Sequence, residues 1–424
     1  MLGNSYLAIL IGLGVRSASL AALVVILART FGVGAYGAFA AAVSLATFFS
    51  TFSGFGAASL HLRDVSRDSH SYRDSLRRSV VQICWSLPGL IIVAAGLSWL
   101  LIPHVVSPIS ISLLVVGEIL AASAAEMFMR TCQARSRFGA MAVAICVVPI
   151  VRVAIAAVLL AEIGVFTFDT WSWISFATGV AAMTTLLLLS LTGRSSGGAA
   201  VTAGWSDRLS GLSFALSSAS SRVHGDADKV ILARMTGTAI AGEYAIAYRL
   251  TDVLTLPIVA GVERLLPSLF RKGEGGFLYA VRTSLPRICL ALIAGLILSA
   301  AVYLIAPVLP LLLTRAYEPS VHVARILALV PFSMTLWIVV RTLAATSNHE
   351  HAMGMTELGG AAFNIVAGVA AVALWGWVGA VYATYATHVV MTLTLLLWIW
   401  LSERGQAARK CLAAAPGEGT RGSP

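Results

Sequence analysis

The chain has 424 residues, of which 58% are hydrophobic and only 11% charged, and its mean hydropathy is +0.88. A water-soluble fold of this length does not reach such values, so the composition excludes a soluble enzyme and indicates a protein embedded in lipid. The net charge of +10 does not indicate nucleic-acid binding, because Arg and Lys fall mainly in short loops between apolar segments. The five cysteines form no CxxC pair, so neither a disulfide, a metal site nor a cofactor is expected.

Twelve apolar segments, bounded by charged residues or by Gly and Pro, predict transmembrane helices. In chain order they lie near residues 6–28, 36–61, 79–102, 109–130, 138–161, 169–192, 209–235, 240–270, 285–313, 322–347, 352–375 and 377–401. The segment 209–235 is the least apolar, because it is rich in Ser and contains several charged residues. These helices account for most of the chain and leave no room for a catalytic ectodomain.

The first two helices of each half are related by an internal repeat. Residues 25–45 match residues 230–250 without a gap at ten of 21 positions, including Arg29 with Arg234, Gly32 with Gly237 and Gly37 with Gly242. The offset spans six helices and so returns the chain to its starting side, which predicts two parallel repeats. The sequence therefore predicts an all-α integral membrane protein of about 12 transmembrane helices in two parallel six-helix lobes with a central cavity. The expected division is an N-terminal lobe 1–192, a cytoplasmic linker 193–208, a C-terminal lobe 209–401 and a disordered cytoplasmic tail 402–424.

The orientation follows from the distribution of Lys and Arg among the loops. The loops 62–78, 130–138 and 271–287, the linker and the tail together contain eighteen of these residues. The alternate loops contain only four, namely Arg29, Lys229, Arg234 and Arg315. Because positive charge stays on the inner side of a membrane, both termini are expected in the cytoplasm of a bacterial inner-membrane protein.

Charged side chains inside the predicted helices are the most informative residues. Each costs about 3 kcal/mol at mid-bilayer on insertion scales unless it is paired or hydrated. Arg16 and Arg152 lie near the middle of the first and fifth helices with no carboxylate within four residues, so both are expected to face protein or a water-filled cavity. The candidate substrate-binding cations are Arg16, Arg152, Arg222, Lys229 and Arg249.

The acidic candidates for ion coupling or for charge pairs are Glu118, Glu126, Asp226 and Asp228. Arg222, Asp226 and Lys229 follow at spacings of four and three, which places them on one helical face, whereas Asp228 points elsewhere. The alternative interpretation of the cations is a set of structural ion pairs, in which Asp226 pairs with Arg222, Glu126 with Arg130, and Asp252 with Arg249.

Enzymatic motifs are poorly represented in the chain. The phosphate-binding pattern GxxxxGK[ST] is absent, and the histidines of His349-Glu350-His351 are too close together for a zinc-protease helix. The outward loops are short and poor in Asp and Glu, which disfavours a membrane glycosyltransferase. We therefore expect a transporter rather than an enzyme or a non-transporting scaffold.

Several segments, taken in order, are similar to one family of transporters. They are 27–32, Tyr36-Gly37 and 53–56, then the more specific 228–234, 242–249 and 265–267, and finally 317–329, Asn364 and 376–380. On these residues the chain resembles the Wzx-type polysaccharide-repeat-unit flippases (O-antigen and exopolysaccharide) of the multidrug/oligosaccharidyl-lipid/polysaccharide exporter superfamily.

The resemblance implies a MATE-like fold and alternating access. It implies movement of an undecaprenyl-pyrophosphate-linked oligosaccharide from the cytoplasmic to the periplasmic leaflet, with the cationic cavity receiving the pyrophosphate. A polysaccharide polymerase complex is the implied protein partner, and membrane lipid surrounds the bundle. Two alternatives stay open: a drug or metabolite exporter of the same superfamily, coupled to H⁺ or Na⁺ through membrane carboxylates, and a flippase for the peptidoglycan lipid precursor.

Overall fold

The computed structural model describes residues 2–192, 205–273, 276–347 and 349–414. Within these ranges the chain is helical and its connections are short. The helices are α1 (Leu2–Ser50), α2 (Ala57–Arg67), α3 (Tyr72–Leu101), α4 (Pro108–Ala134), α5 (Phe138–Ile163), α6 (Phe168–Leu191), α7 (Trp205–Met235), α8 (Thr238–Gly273), α9 (Phe277–Ile305), α10 (Leu309–Leu312), α11 (Pro319–Ile326), α12 (Val330–Thr346), α13 (Glu350–Trp375) and α14 (Trp377–Ala414).

These helices make twelve crossings of a membrane-sized slab. Among the described residues, nine segments are long and apolar enough to span a membrane, and one of them, Ile11–Ser50, is interrupted at Gly32 and supplies two crossings. The two remaining crossings are α7 and α8, which carry too many charged or small polar residues to qualify by hydropathy. The predicted fold class, an all-α membrane protein with about twelve transmembrane helices in two lobes, is confirmed.

The internal repeat is visible in the backbone at the end of the first helix of each lobe. Gly32 and Gly237 both adopt a positive φ, of 74° and 106°, and each reverses the chain into the next helix. A side chain at either position would be strained in this conformation, which explains why both equivalent positions are Gly. The sequence repeat therefore corresponds to a structural one.

The same repeat supplies a contact between the lobes. An added Cβ on Gly37 would lie 1.7 Å from the carbonyl oxygen of Thr238, and one on Gly242 would lie 2.3 Å from the carbonyl oxygen of Val33. Thr238 is the repeat equivalent of Val33, so the two halves of the contact are related by the same offset as the two lobes. The backbones of α1 and α8 thus touch where neither helix has a side chain.

Helix boundaries differ from the sequence prediction at several ends, including the starts of α3 at Tyr72 and α9 at Phe277, which lie seven and eight residues earlier than predicted. The second predicted helix, 36–61, ends at Ser50, and the chain continues through the tight turn Ser53–Gly56 into α2. α14 extends to Ala414, well beyond the predicted end at 401. Most of the predicted linker, 193–204, and the end of the tail, 415–424, lie outside the described residues.

The helices alternate in direction, so the connections fall at two ends of the bundle. We call the end that carries the connections 62–78, 130–138 and 271–287 the basic end, and the end that carries the turns at Gly32 and Gly237 the opposite end. α1 packs against α4 and α5 of its own lobe and against α7 and α8 of the other. The interface between the lobes therefore runs along α1.

Candidate functional site

Three arginines from three helices face the space between the lobes. Arg16 on α1, Arg222 on α7 and Arg249 on α8 all have exposed side chains. Arg16 interacts electrostatically with the other two arginines and with Glu126 on α4. Because these neighbours belong to both lobes, the surface that Arg16 faces is the inter-lobe space and not the lipid-facing rim.

Arg222 and Arg249 lie well inside the membrane thickness. Arg222 is 13 residues before the end of α7, and Arg249 is 11 residues after the start of α8. At 1.5 Å per residue these positions are about 17–20 Å from the opposite end of helices that cross a hydrocarbon core about 30 Å thick. The positive charges are therefore near mid-membrane, where only protein or water can compensate them.

Two of these arginines lack a compensating partner in the described part of the chain. Neither Arg16 nor Arg222 forms an ion pair or a side-chain hydrogen bond there. Arg249 lies 3.6 Å from Asp252, in a pair that is nearly half exposed, so its charge is only partly neutralised. The inter-lobe space therefore offers positive charge to an anion.

Next to Arg222 the space widens into a cavity of about 390 Å³ between α1, α4 and α7. Glu126 and Arg130 of α4 line it and pair with each other at 2.7 Å. Seven hydroxyl side chains complete its polar lining: Ser50, Thr51, Ser53, Ser59, Ser123, Ser218 and Ser221. The Oγ atoms of Ser53 and Ser123 are buried without a partner among the described residues, so they can bind a polar group that enters the cavity.

Lys229 differs from the arginines because its charge is satisfied locally. Its side chain is only 5% exposed, and its Nζ lies 2.7 Å from Asp226 Oδ1 and 4.7 Å from the centre of the Tyr248 ring. Its Nζ also donates to the carbonyl oxygen of Gly225. Asp226 thus pairs with Lys229, three residues further along α7, and not with Arg222, which stays free for the cavity.

The charge of Arg152 is also neutralised locally, by partners inside the N-terminal lobe, although its buried Nη2 has no hydrogen-bond partner among the described residues. Its Nη1 lies 2.7 Å from Glu118 Oε1 and 2.9 Å from Glu118 Oε2, and its Nε donates to Thr178 Oγ1 at 3.1 Å. α4 and α6 approach closely here, because a Cβ on Gly117 would lie 2.4 Å from the carbonyl oxygen of Ser175. The charge pair of Glu118 with Arg152 joins α4 and α5, and the hydrogen bond to Thr178 adds α6; this pair was not among those predicted from the sequence.

At the opposite end, hydrogen bonds and ring contacts hold the two lobes together. Arg29 Nε donates to the carbonyl oxygen of Leu312 at 2.6 Å and to that of Leu313 at 3.1 Å, which caps the C-terminus of α10. The buried Tyr317 donates from its hydroxyl to the carbonyl oxygen of Ala28 at 3.2 Å and packs edge-on against Tyr36. Together with the backbone contact of Gly37, these interactions close the inter-lobe space on that side.

A contact between the lobes also exists towards the basic end. The start of α7 touches the turn Ser53–Gly56, because a Cβ on Gly211 would lie 2.3 Å from the carbonyl oxygen of Phe55. Between this contact and the closure at the opposite end lie the cavity and the arginines. The arrangement can hold an anion between two closures and release it when one of them opens.

The comparisons with known proteins agree with this geometry. A family model described as "Polysaccharide biosynthesis protein" matches residues 4–271, which is more than half of the chain. The chain belongs to the polysaccharide biosynthesis protein family. No curated protein shows a significant match to the sequence.

Solved structures similar in fold to this polysaccharide biosynthesis family protein include a flippase and multidrug transporters. The lipid II flippase MurJ in an inward closed conformation has a TM-score of 0.70 at 12% identity, over 93% of this chain and 87% of that chain. An inward-facing multidrug resistance MATE family transporter of the MOP superfamily has a TM-score of 0.66 at 12% identity, over 92% and 95%. An outward-facing MATE family transporter has a TM-score of 0.60 at 13% identity, over 94% and 96%. The predicted MATE-like fold is confirmed.

The remaining acidic candidate of this family member, Asp228, points away from the cavity into the C-terminal lobe. Its Oδ2 accepts a hydrogen bond from the Tyr244 hydroxyl at 2.5 Å, and its Oδ1 accepts one from the backbone N–H of Lys229 at 2.9 Å. It lies beside Asn364 of α13, whose amide donates to Thr387 at 3.0 Å. Asp226 and Asp228 are therefore neighbours in sequence that face different surroundings.

Sequence reasoning missed one further ion pair of the C-terminal lobe. Arg341 Nε on α12 lies 2.6 Å from Glu357 Oε1 on α13, and the Glu357 side chain is only 4% exposed. The signal that could have found it is the single acidic residue in the apolar run that follows His351. The pair lies on adjacent helices of one lobe, which favours a structural role.

Proposed function

We propose that this protein is a flippase for an undecaprenyl-pyrophosphate-linked oligosaccharide, which it moves from the cytoplasmic to the periplasmic leaflet of the bacterial inner membrane for surface polysaccharide biosynthesis. The observation that carries this proposal is that Arg16 and Arg222, one from each lobe, face the inter-lobe space without an ion-pair partner among the described residues. Family membership and the flippase fold support it. In this proposal the basic end faces the cytoplasm, as the positive-inside rule requires.

The chemistry of the cavity fits such a substrate. Arginine binds phosphate oxygens with two parallel hydrogen bonds, so Arg16 and Arg222 can hold the pyrophosphate between the lobes. The hydroxyl-lined cavity next to Arg222 can hydrogen-bond the sugars, while the polyprenyl tail stays in the bilayer. No covalent bond changes in this process, so the protein acts without catalysis and without a cofactor.

Alternating access supplies the movement in this proposal. The contact of Gly211 with Phe55 opens to admit the substrate at the basic end, while Arg29 and Tyr317 hold the opposite end closed. Reversal of these two states then exposes the headgroup to the other leaflet. The driving force is an H⁺ or Na⁺ gradient acting through Asp226 or Asp228, and delivery to a polysaccharide polymerase follows.

The test is export of a surface glycan in a strain that depends on this protein. We expect Arg16→Ala and Arg222→Ala each to abolish the glycan while the protein stays in the membrane at normal abundance. Arg282→Ala, which removes an exposed arginine outside the inter-lobe space, is the matched control and should leave the glycan unchanged. Undiminished surface glycan in both cavity variants would overturn the proposal.

The second candidate is a flippase for the peptidoglycan lipid precursor, which the MurJ-like fold favours. The two substrates share the pyrophosphate and differ in the sugars. Rescue of a strain that lacks its peptidoglycan precursor flippase would establish this alternative. Drug resistance that depends on the protein, with no change in surface glycan, would instead support the ion-coupled exporter.

A further inference from the structure

A second cavity, of about 430 Å³, lies outside the inter-lobe space. It is a groove at the basic end of the N-terminal lobe, where α3 begins and where α4 and α6 end. Its lining includes the cationic Arg73, Arg77 and Arg135 and the apolar Phe128, Leu189 and Leu191. We call it the α3–α4–α6 groove.

The groove and the inter-lobe cavity lie on different faces of α4. At 100° per residue, Glu126 and Arg130, which line the cavity, point within about 40° of each other. Phe128 and Thr131, which line the groove, point about 150° away from them. A molecule in the groove is therefore not the molecule held between the lobes, and the groove needs a separate ligand.

The polar side of the groove suits a phosphate-bearing headgroup. Arg73, Arg77 and Arg135 are exposed, and Asp74 is the one acidic residue in the lining. The Arg135 guanidinium lies 4.8 Å from the centre of the Tyr72 ring, which holds it at the rim. The Thr131 Oγ1 atom is buried in the groove without a partner among the described residues, so it can donate to a phosphate oxygen.

The apolar side of the groove suits an acyl chain. Leu189 and Leu191 lie in the last turn of α6, and their side chains are 51% and 66% exposed. They line the same groove as the arginines, so a lipid with its phosphate on the arginines can place methylene groups against them. An inorganic anion would contact only the arginines and would leave Leu189 and Leu191 without a ligand contact.

We propose that the α3–α4–α6 groove binds an anionic glycerophospholipid of the leaflet at the basic end, with its phosphate on Arg73, Arg77 and Arg135 and an acyl chain against Leu189 and Leu191. The net positive lining, the apolar residues in the same groove and its position at the ends of transmembrane helices all match this ligand. The lipid joins the ends of three helices and so stabilises the N-terminal lobe. The proposal does not depend on what the protein transports.

The experiment measures lipid binding by the purified full-length protein in detergent. Phosphatidylglycerol, phosphatidylcholine and inorganic phosphate are titrated separately, and the rise in melting temperature gives an apparent Kd for each. Arg77→Gln with Arg135→Gln removes two charges from the groove. Arg67→Gln with Arg282→Gln removes two exposed charges elsewhere at the basic end and is the matched control.

We expect phosphatidylglycerol, but neither phosphatidylcholine nor phosphate, to stabilise the unmodified protein. Each basic residue near an anionic headgroup contributes about fivefold in affinity, so the groove variant should bind about thirtyfold more weakly and the control within about threefold. Leu189→Gln keeps all the arginines and should still weaken binding severalfold.

Three outcomes would overturn the proposal. Equal weakening in both double variants would show a general effect of surface charge. Equal stabilisation by inorganic phosphate would show a free-anion site. Loss of phosphatidylglycerol binding in Arg222→Gln, with full binding in the groove variant, would place the lipid between the lobes instead.

Discussion

Arg152 is held by side chains from two other helices, Glu118 and Thr178, while Arg16 has no such partner in the described residues. In the sequence the two arginines look alike, since both are central in an apolar run without a nearby carboxylate. The partner of Arg152 lies 34 residues away on α4, a helix that tertiary packing brings close to α5. Helical spacing therefore identified the buried charges but could not tell a paired arginine from a free one.

The first prediction concerns this buried pair. Arg152→Ala or Glu118→Ala should lower the free energy of unfolding by about 3–5 kcal/mol, because each leaves an uncompensated charge in a nearly dry site. Arg152→Met combined with Glu118→Leu should recover most of this loss. Chemical denaturation in detergent measures the effect. Equal destabilisation by the double and single variants would contradict the ion-pair explanation.

The neighbours on α7 show how far local spacing can predict a pair. Both Arg222 and Lys229 lie within one helical turn of Asp226, and the spacing allowed either to pair with it. In the structure Asp226 pairs with Lys229, whose ammonium group lies against the Tyr248 ring. The cation that remains, Arg222, lies beside the cavity.

At the scale of elements, most helix positions followed from hydropathy, and the exceptions have physical reasons. The run Phe48-Phe49-Ser50-Thr51-Phe52 is apolar enough to continue a helix, yet the chain turns there. The turn is stabilised from outside, because the Gly54 N–H donates to Ser86 Oγ on α3 at 2.7 Å. Such a tertiary contact leaves no periodic signal in the sequence.

The contact between α1 and α8 gives a prediction at this scale. Gly37→Ala should force the lobes apart at the opposite end and impair transport, because its Cβ would lie 1.7 Å from the carbonyl oxygen of Thr238. Gly34→Ala on the same helix is the control, since the nearest atom to its Cβ would be 3.7 Å away. Glycan export and melting temperature measure both. Equal behaviour of the two variants would show that the contact is not needed.

At the scale of the whole molecule, the described conformation is closed at the opposite end by more interactions than at the basic end. Arg29, Tyr317 and Gly37 act at the first, while the contact of Gly211 with Phe55 acts at the second. Two parallel lobes could be predicted from the repeat. The contacts that close the lobes at the opposite end could not be predicted from the repeat. They depend on Leu312, Leu313 and Tyr317, which lie outside the repeated segment.

Removal of one closing interaction should shift the balance between the two states. Tyr317→Phe loses the hydrogen bond to Ala28, worth about 0.5–1.5 kcal/mol, and should raise the population open at the opposite end about two- to twelvefold. Tyr303→Phe, which removes a hydroxyl from a half-exposed ring, is the control. Distances between spin labels on the two lobes report the populations. An unchanged distance distribution in Tyr317→Phe would argue against this closure.

The meeting of Gly37 with Gly242 is made of main chain, whereas the cavity beside Arg222 is made of side chains. In the proposed mechanism, substitutions that change the hydroxyl lining to suit a different substrate need not disturb the backbone contact about which the lobes move. In the proposed flippase, the recognition of a new substrate and the mechanics of opening can thus change separately within one scaffold.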